Sequence, residues 1–241
     1  GFGGNLEESI GEDALLDLIE YVDRAFVEHG ADNNAYEPSG SVVKDTIRKA
    51  SGVGLKILPA RIRHIGTDAS RQVLNNMYED LKKKCDILMN TFVEDIVIEN
   101  GRATGVRLAD GKILRAEYVI VAPGREGASW LAEIVERLNI PIASMPVDIG
   151  VRVEVPDSVC EDLTQHFYEV KCLYNTPTFD DRCRTFCMNP SGFVVYEYNK
   201  SHDLVTVNGH SLKTVKSRNT NFASLAAARM SSSTCFSNRL S

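Results

Sequence analysis

Between Thr67 and Leu138 the hydrophobic pattern changes period twice, and few architectures accommodate such a switch. Thr67 or Asp68 can cap a helix whose apolar stripe is Leu74, Met77, Tyr78 and Leu81, and the run Lys82-Lys83-Lys84 then places cations where helix C-terminal carbonyls favour them. After it the period drops to two, predicting strands near Asp86 to Met89 and from Phe92 to Ile98. Asn100-Gly101 and Asp110-Gly111 are spaced to fold three successive strands into a meander. The next run, Tyr118-Val119-Ile120-Val121, is continuously apolar, which predicts a strand buried on both faces, as in a parallel sheet covered by helices. It ends in Ala122-Pro123-Gly124-Arg125-Glu126-Gly127. A helix follows with Trp130, Leu131, Ile134, Val135 and Leu138 inward, so the whole stretch reads as one α/β unit.

The flanks differ from it. Ser9-x-x-Glu12 has the form of a capping box, and Leu15, Leu18, Ile19, Val22 and Phe26 share one helical face up to His29-Gly30. Residues 31 to 66 read as an excursion with one helix around Val42 to Ala50, interrupted by prolines and glycines. Pro141 and Pro146 mark a domain crossing. Beyond them Val147, Ile149, Val151, Val153 and Val155 alternate with Asp148, Gly150, Arg152 and Glu154, and further alternating segments near residues 167–173, 183–188, 193–198 and 204–207 make this half mostly β. The last acidic residue is Asp203, and the Ser/Ala-rich stretch from about Ala223 to Ser241 reads as a disordered or foreign tail.

Charge and composition exclude several classes. A net charge of −6 argues against a nucleic-acid binder, which needs a basic face. No apolar stretch approaches the ~20 residues that span a bilayer, and no secretory leader opens the chain, which begins at Gly1 without an initiating methionine. Six cysteines are scattered; the one close pair, Cys183 and Cys187, has no second pair or histidine pair downstream, so no metal site is expected. Free thiols fit a reducing, cytoplasmic setting.

The glycine turn after Tyr118 to Val121 is the most informative chemical feature, since small residues there let backbone approach a ligand and the following helix directs amides at negative charge. A generic strand-to-helix turn explains it as well. Neither a complete G-x-G-x-x-G nor a P-loop occurs in the chain. Arg152 between Asp148 and Glu154 reads as a structural ion pair, with a substrate-facing arginine as the alternative. His64 reads as a turn-stabilising residue or as an acid–base group, and His210 has no partners for hydrolase chemistry.

The segments His64-Ile65-Gly66-Thr67-Asp68, Asn90 to Ile96, Asp110-Gly111 and Tyr118 to Arg125 resemble the uncharacterised bacterial FAD-dependent (NAD(FAD)-utilising) dehydrogenases. In that family a glutathione-reductase-like flavin domain is interrupted by a substrate domain. Pro146 to Glu154, Thr176 to Asp181, Arg184 to Pro190 and Val207 to Ser211 are similar to the same family, so the resemblance runs from near residue 1 to about Phe222. It implies an α/β fold: a partial FAD/NAD(P)-binding domain joined to a mostly antiparallel β (α+β) substrate domain. The implied divisions are 1–66, a helical excursion of the flavin domain; 67–145, the partial FAD-binding domain; 146–222, the substrate domain; and 223–241, the tail. It further implies an oxidoreductase acting on a small molecule with FAD, with NAD(P) a further candidate, and with neither a nucleic acid nor a membrane as partner. Val93 would offer backbone groups to the adenine, and Ala122, Pro123 and Gly124 would pass close to the cofactor. It assigns no catalytic residue. The family's pyrophosphate fingerprint is not among these residues, so an internal fragment is expected; the alternative is a truncated, non-catalytic product or a small-molecule binding module without cofactor.

Overall fold

The computed structural model describes residues 6–143, 147–199 and 203–228. In chain order its elements are α1 (Glu7–Ile10), α2 (Glu12–Glu28), α3 (Gly40–Ser51), β1 (Lys56–Leu58), α4 (Thr67–Leu81), β2 (Val93–Glu99), β3 (Arg102–Leu108), β4 (Ile113–Arg115), α5 (Ala128–Arg137), β5 (Val147–Pro156), α6 (Asp157–Phe167), β6 (Lys171–Asn175), β7 (Arg182–Asn189), β8 (Phe193–Asn199), β9 (Leu204–His210) and β10 (Asn219–Ala228). Helix and strand are nearly equal at 31% and 32%, which makes the chain mixed α/β, with sheets that are mostly antiparallel. None of the described helices is long and apolar enough to cross a membrane.

The chain divides into two compact units. One takes the described residues up to Lys83, those from 147 to Tyr196, and those from Val207 onward; the other takes Lys84 to 143 and the described part of Glu197–Thr206. In the first, a five-stranded antiparallel sheet has the order β1-β6-β7-β10-β5. Val43, Ile57, Phe167, Val170 and Met188 form its buried core, with Ile47, Leu163 and Phe222 packed against them. Burying such side chains drives the assembly of this unit, at about 1.5–3 kcal/mol for each large one.

Several expectations for this unit need correction. Residues 223–228 are not a disordered tail: they continue β10, which pairs with β5 from Asn219 opposite Pro156 to Ala228 opposite Val147, and with β7 on its other side. Thr220, Asn221 and Ala223 are buried there. The remainder of that expected tail, 229–241, lies outside the described residues. The half expected to be mostly β also contains α6, which buries Cys160 and Phe167, so the expected alternating segment at 167–173 starts as the end of a helix. The apolar face expected along β5 is only partly covered: Val147, Ile149 and Val151 are exposed, while Val153 and Val155 are half-buried.

Near the N-terminus the capping box does not form. Gly11, at φ +81°, separates α1 from α2 and itself precedes Glu12, while the Ser9 amide donates to the Leu6 carbonyl. In α4 the buried position is Val73, not Leu74, which is exposed. The face is set by polar anchors: Asn76 donates to the His29 carbonyl at 2.8 Å, and His29 Nε2 lies 3.6 Å from Asp80.

In the second unit the meander forms as its turns require. β2 pairs with β3 and β3 with β4, both antiparallel, with Asn100, Gly101 and Gly111 all at positive φ. The expected strand near Asp86 to Met89 is absent, and this segment is irregular with Leu88 and Met89 exposed. The buried parallel strand is also overturned. Residues 118–121 are irregular, and Tyr118 and Ile120 are 78% and 92% exposed. A continuously apolar run becomes a buried strand only where neighbours satisfy its backbone and helices cover it; after Ala116 donates to the Thr104 carbonyl, no described strand lies beside it. α5 follows expectation, with Ile134 buried and Trp130, Leu131, Val135 and Leu138 half-buried.

Candidate functional site

The meander, the irregular apolar run and α5 enclose an open groove of about 590 Å³ in the second unit. Val93 begins β2 at one side of it, opposite Leu108 in the β2–β3 register. Ala122 and Pro123 lie on another side, after the apolar run and before the turn that leads into α5. Three of the four residues singled out from the sequence therefore share one groove. The fourth, Gly124, lines an adjoining recess of about 380 Å³ that shares Pro123 and Glu126 with the groove.

Gly124 has φ +68°, and a Cβ there would meet nothing within 4 Å. Its requirement for glycine is therefore conformational; no crowding by described residues imposes it. Beyond it, Arg125 forms an ion pair with Glu197 across the recess.

Sequence reasoning missed the aromatic and aliphatic walls. Phe92, Ile96, Ile120 and Trp130 line the groove, and the Trp130 indole is fixed by donating from Nε1 to the Glu94 carbonyl at 2.9 Å. Trp130 reads in the sequence as a core residue of an amphipathic helix, and the signal of a second role lay in its position one helical turn after Glu126-Gly127. Phe92 is anchored through its backbone, whose carbonyl accepts from the Ala109 amide at 3.0 Å.

The chemistry of the lining is uneven. Glu126 is the one charged side chain among the residues that line it, and the rest are apolar or small except for Thr91. Such a surface suits the flat, uncharged ring of a ligand and repels a pyrophosphate placed against it. The lining suits an uncharged planar group, and it offers no cationic side chain to a phosphate.

Arg152 does not pair with Asp148 or Glu154 as expected. Asp148 pairs with Arg184, and Arg152 instead donates through one Nη to the Cys187 carbonyl at 3.1 Å and to Asn221 Oδ1 at 2.7 Å, in the first unit. Its Nε and the Asn221 Nδ2 are buried without partners. Among the described residues no cluster of histidine, cysteine and carboxylate groups could hold a metal ion. Cys160, Cys172, Cys183 and Cys187 are free thiols, and burial raises the pKa of Cys160 and Cys172, which keeps them protonated and unreactive.

No protein-family profile matches the chain, and no curated protein matches it significantly.

Proposed function

We propose that this chain belongs to an FAD-dependent oxidoreductase acting on a small molecule, and that its second unit supplies the wall against which a planar ring of the cofactor packs. The observation that carries the reading is the convergence of Val93, Ala122 and Pro123 on one apolar groove with Phe92 and Trp130. The resemblance of the sequence to FAD-dependent dehydrogenases supports it independently of that geometry. Bound FAD would supply the electron transfer, which no side chain can carry out alone. The residues of the chain offer the ring an apolar wall on which Glu126 is the one charged side chain. With no pyrophosphate loop in the sequence, ring contacts alone give weak affinity.

Trp130 is the chain's single tryptophan and lines the groove, so its fluorescence reports occupancy. Titration of the chain with FAD should give weak but saturable quenching, and Ala122→Arg, which places a bulky charge in the groove, should abolish it. Absence of saturable quenching, or identical titrations for the two proteins, would remove the assignment.

A further inference from the structure

The first unit contains a separate recess of about 310 Å³, lined by Asp32, Tyr36, His64, Tyr168, Lys213 and Lys216 among others. Its walls are aromatic. The Tyr168 ring lies between Tyr36 and His64, with centroid separations of 4.5 and 4.6 Å. Tyr36 is held by a reciprocal backbone bridge to Ile62, and the Tyr168 hydroxyl shares a 3.1 Å hydrogen bond with Ser211, itself 2% exposed. Tyr168 has φ +58° and ψ −67°, the centre of a γ-turn closed by the Glu169 amide donating to the Phe167 carbonyl at 2.7 Å, a conformation that a bulky residue adopts only when its surroundings enforce it.

The carboxylates nearby are already engaged. Asp68 accepts from the Lys213 and Thr214 amides and from Thr214 Oγ1, contacts that fix the 213–214 loop over the start of α4. Asp32 accepts from Lys213 Nζ and from the Asn34 amide, both at 3.0 Å. Two groups are left over. Lys216 has no ion-pair partner among the described residues, and His64 Nε2 is buried without a hydrogen-bond partner. A buried unpartnered imidazole nitrogen is costly unless something visits it, and an unpaired ammonium beside it selects the sign of the visitor.

We infer that this recess binds a small organic oxyanion, its charge on Lys216 and His64 and its flat body against the exposed side of Tyr36, which Tyr168 backs. Burial, reinforced by Lys216 and Lys213, holds His64 below the usual histidine range; the imidazole is therefore neutral near pH 7 and can donate one hydrogen bond to the ligand without a competing charge. The lining carries two ammonium groups against one carboxylate, so the recess favours an anion over a neutral analogue. This inference uses the first unit alone and stands or falls separately from the flavin reading.

The test follows the His64 imidazole resonances of the full chain by NMR, assigned with His64→Gln, during titration with sodium benzoate, inorganic phosphate and the uncharged benzamide. Benzoate should shift them saturably, benzamide should bind at least several-fold more weakly, and Lys216→Met, at an exposed position, should weaken benzoate by about tenfold. Saturation by phosphate as well supports recognition through charge alone, and saturation by benzoate only supports recognition of the carboxylate together with its ring. The inference is overturned if neither oxyanion gives a saturable shift, if benzamide binds as tightly as benzoate, or if Lys216→Met leaves the affinity unchanged.

Discussion

Replacing Ile120 with alanine separates the pattern in the sequence from the surface in the structure. A continuously apolar run ordinarily signals a buried strand, and truncating an isoleucine there costs about 2–5 kcal/mol. In the structure Ile120 is 92% exposed, so under a tenth of the about 1.5–3 kcal/mol available from burying an isoleucine is realised. The expected loss is therefore about 0.2 kcal/mol or less, and at about 2–4 °C per kcal/mol for a chain of this size the melting temperature should move by less than about 1 °C. Ile134→Ala serves as the control in the same unit, because Ile134 is 4% exposed and its truncation should cost about 2–5 kcal/mol. Both are measured by thermal melts followed by circular dichroism. A drop of about 5 °C or more for Ile120→Ala, comparable to the control, would refute the reasoning and return residues 118–121 to the core.

Other consequences concern the first unit. Phe167→Ala removes a side chain that is 1% exposed at the centre of its core, and should cost about 3–5 kcal/mol in guanidinium unfolding; a loss under about 1 kcal/mol would contradict the packing described. Burial pushes the Tyr168 phenol up to about 12, so its stabilising contribution is fully present below the unfolded value near 10 and is lost as pH rises through 12; spectrophotometric titration should show a late tyrosinate step that Tyr168→Phe removes. The pKa of His64 is lowered by burial and then by Lys216 and Lys213, so below about pH 6.5 the unfolded chain binds more protons and stability falls with acidification. His64→Gln should flatten that fall, and an unchanged slope would count against the buried imidazole.

What was legible in the sequence was local. Asn100-Gly101 and Asp110-Gly111 located the meander because Asn100, Gly101 and Gly111 adopt positive φ at little cost, and the stripe of α5 located its buried face. What was not legible depended on partners distant in sequence. From Ala223 onward β10 has the composition of a tail, yet it is an inner strand because its backbone pairs with β5 on one side and β7 on the other, which composition does not reveal. α6 was missed because its early apolar residue Val159 is exposed, whereas Leu163 and Phe167, one turn apart, make the contact with the core. The face of α4 followed the hydrogen bond from Asn76 and the approach of His29 to Asp80, and hydrophobicity alone pointed to Leu74 instead. For the candidate groove, the small residues Ala122 to Gly124 were visible as a turn, but the part played by Trp130 and Phe92 required the geometry.

The central claim is that the groove of the second unit receives a planar cofactor ring, and amide chemical-shift mapping with adenosine and riboflavin, neither of which carries an oxyanion, tests it most directly. The account predicts that the largest perturbations fall on Val93, Ile120, Ala122, Gly124 and the Trp130 indole N–H, with the amides of the first unit unmoved. Perturbations scattered over both units, or their absence from Val93, Ala122 and Trp130 at saturating ligand, would contradict it.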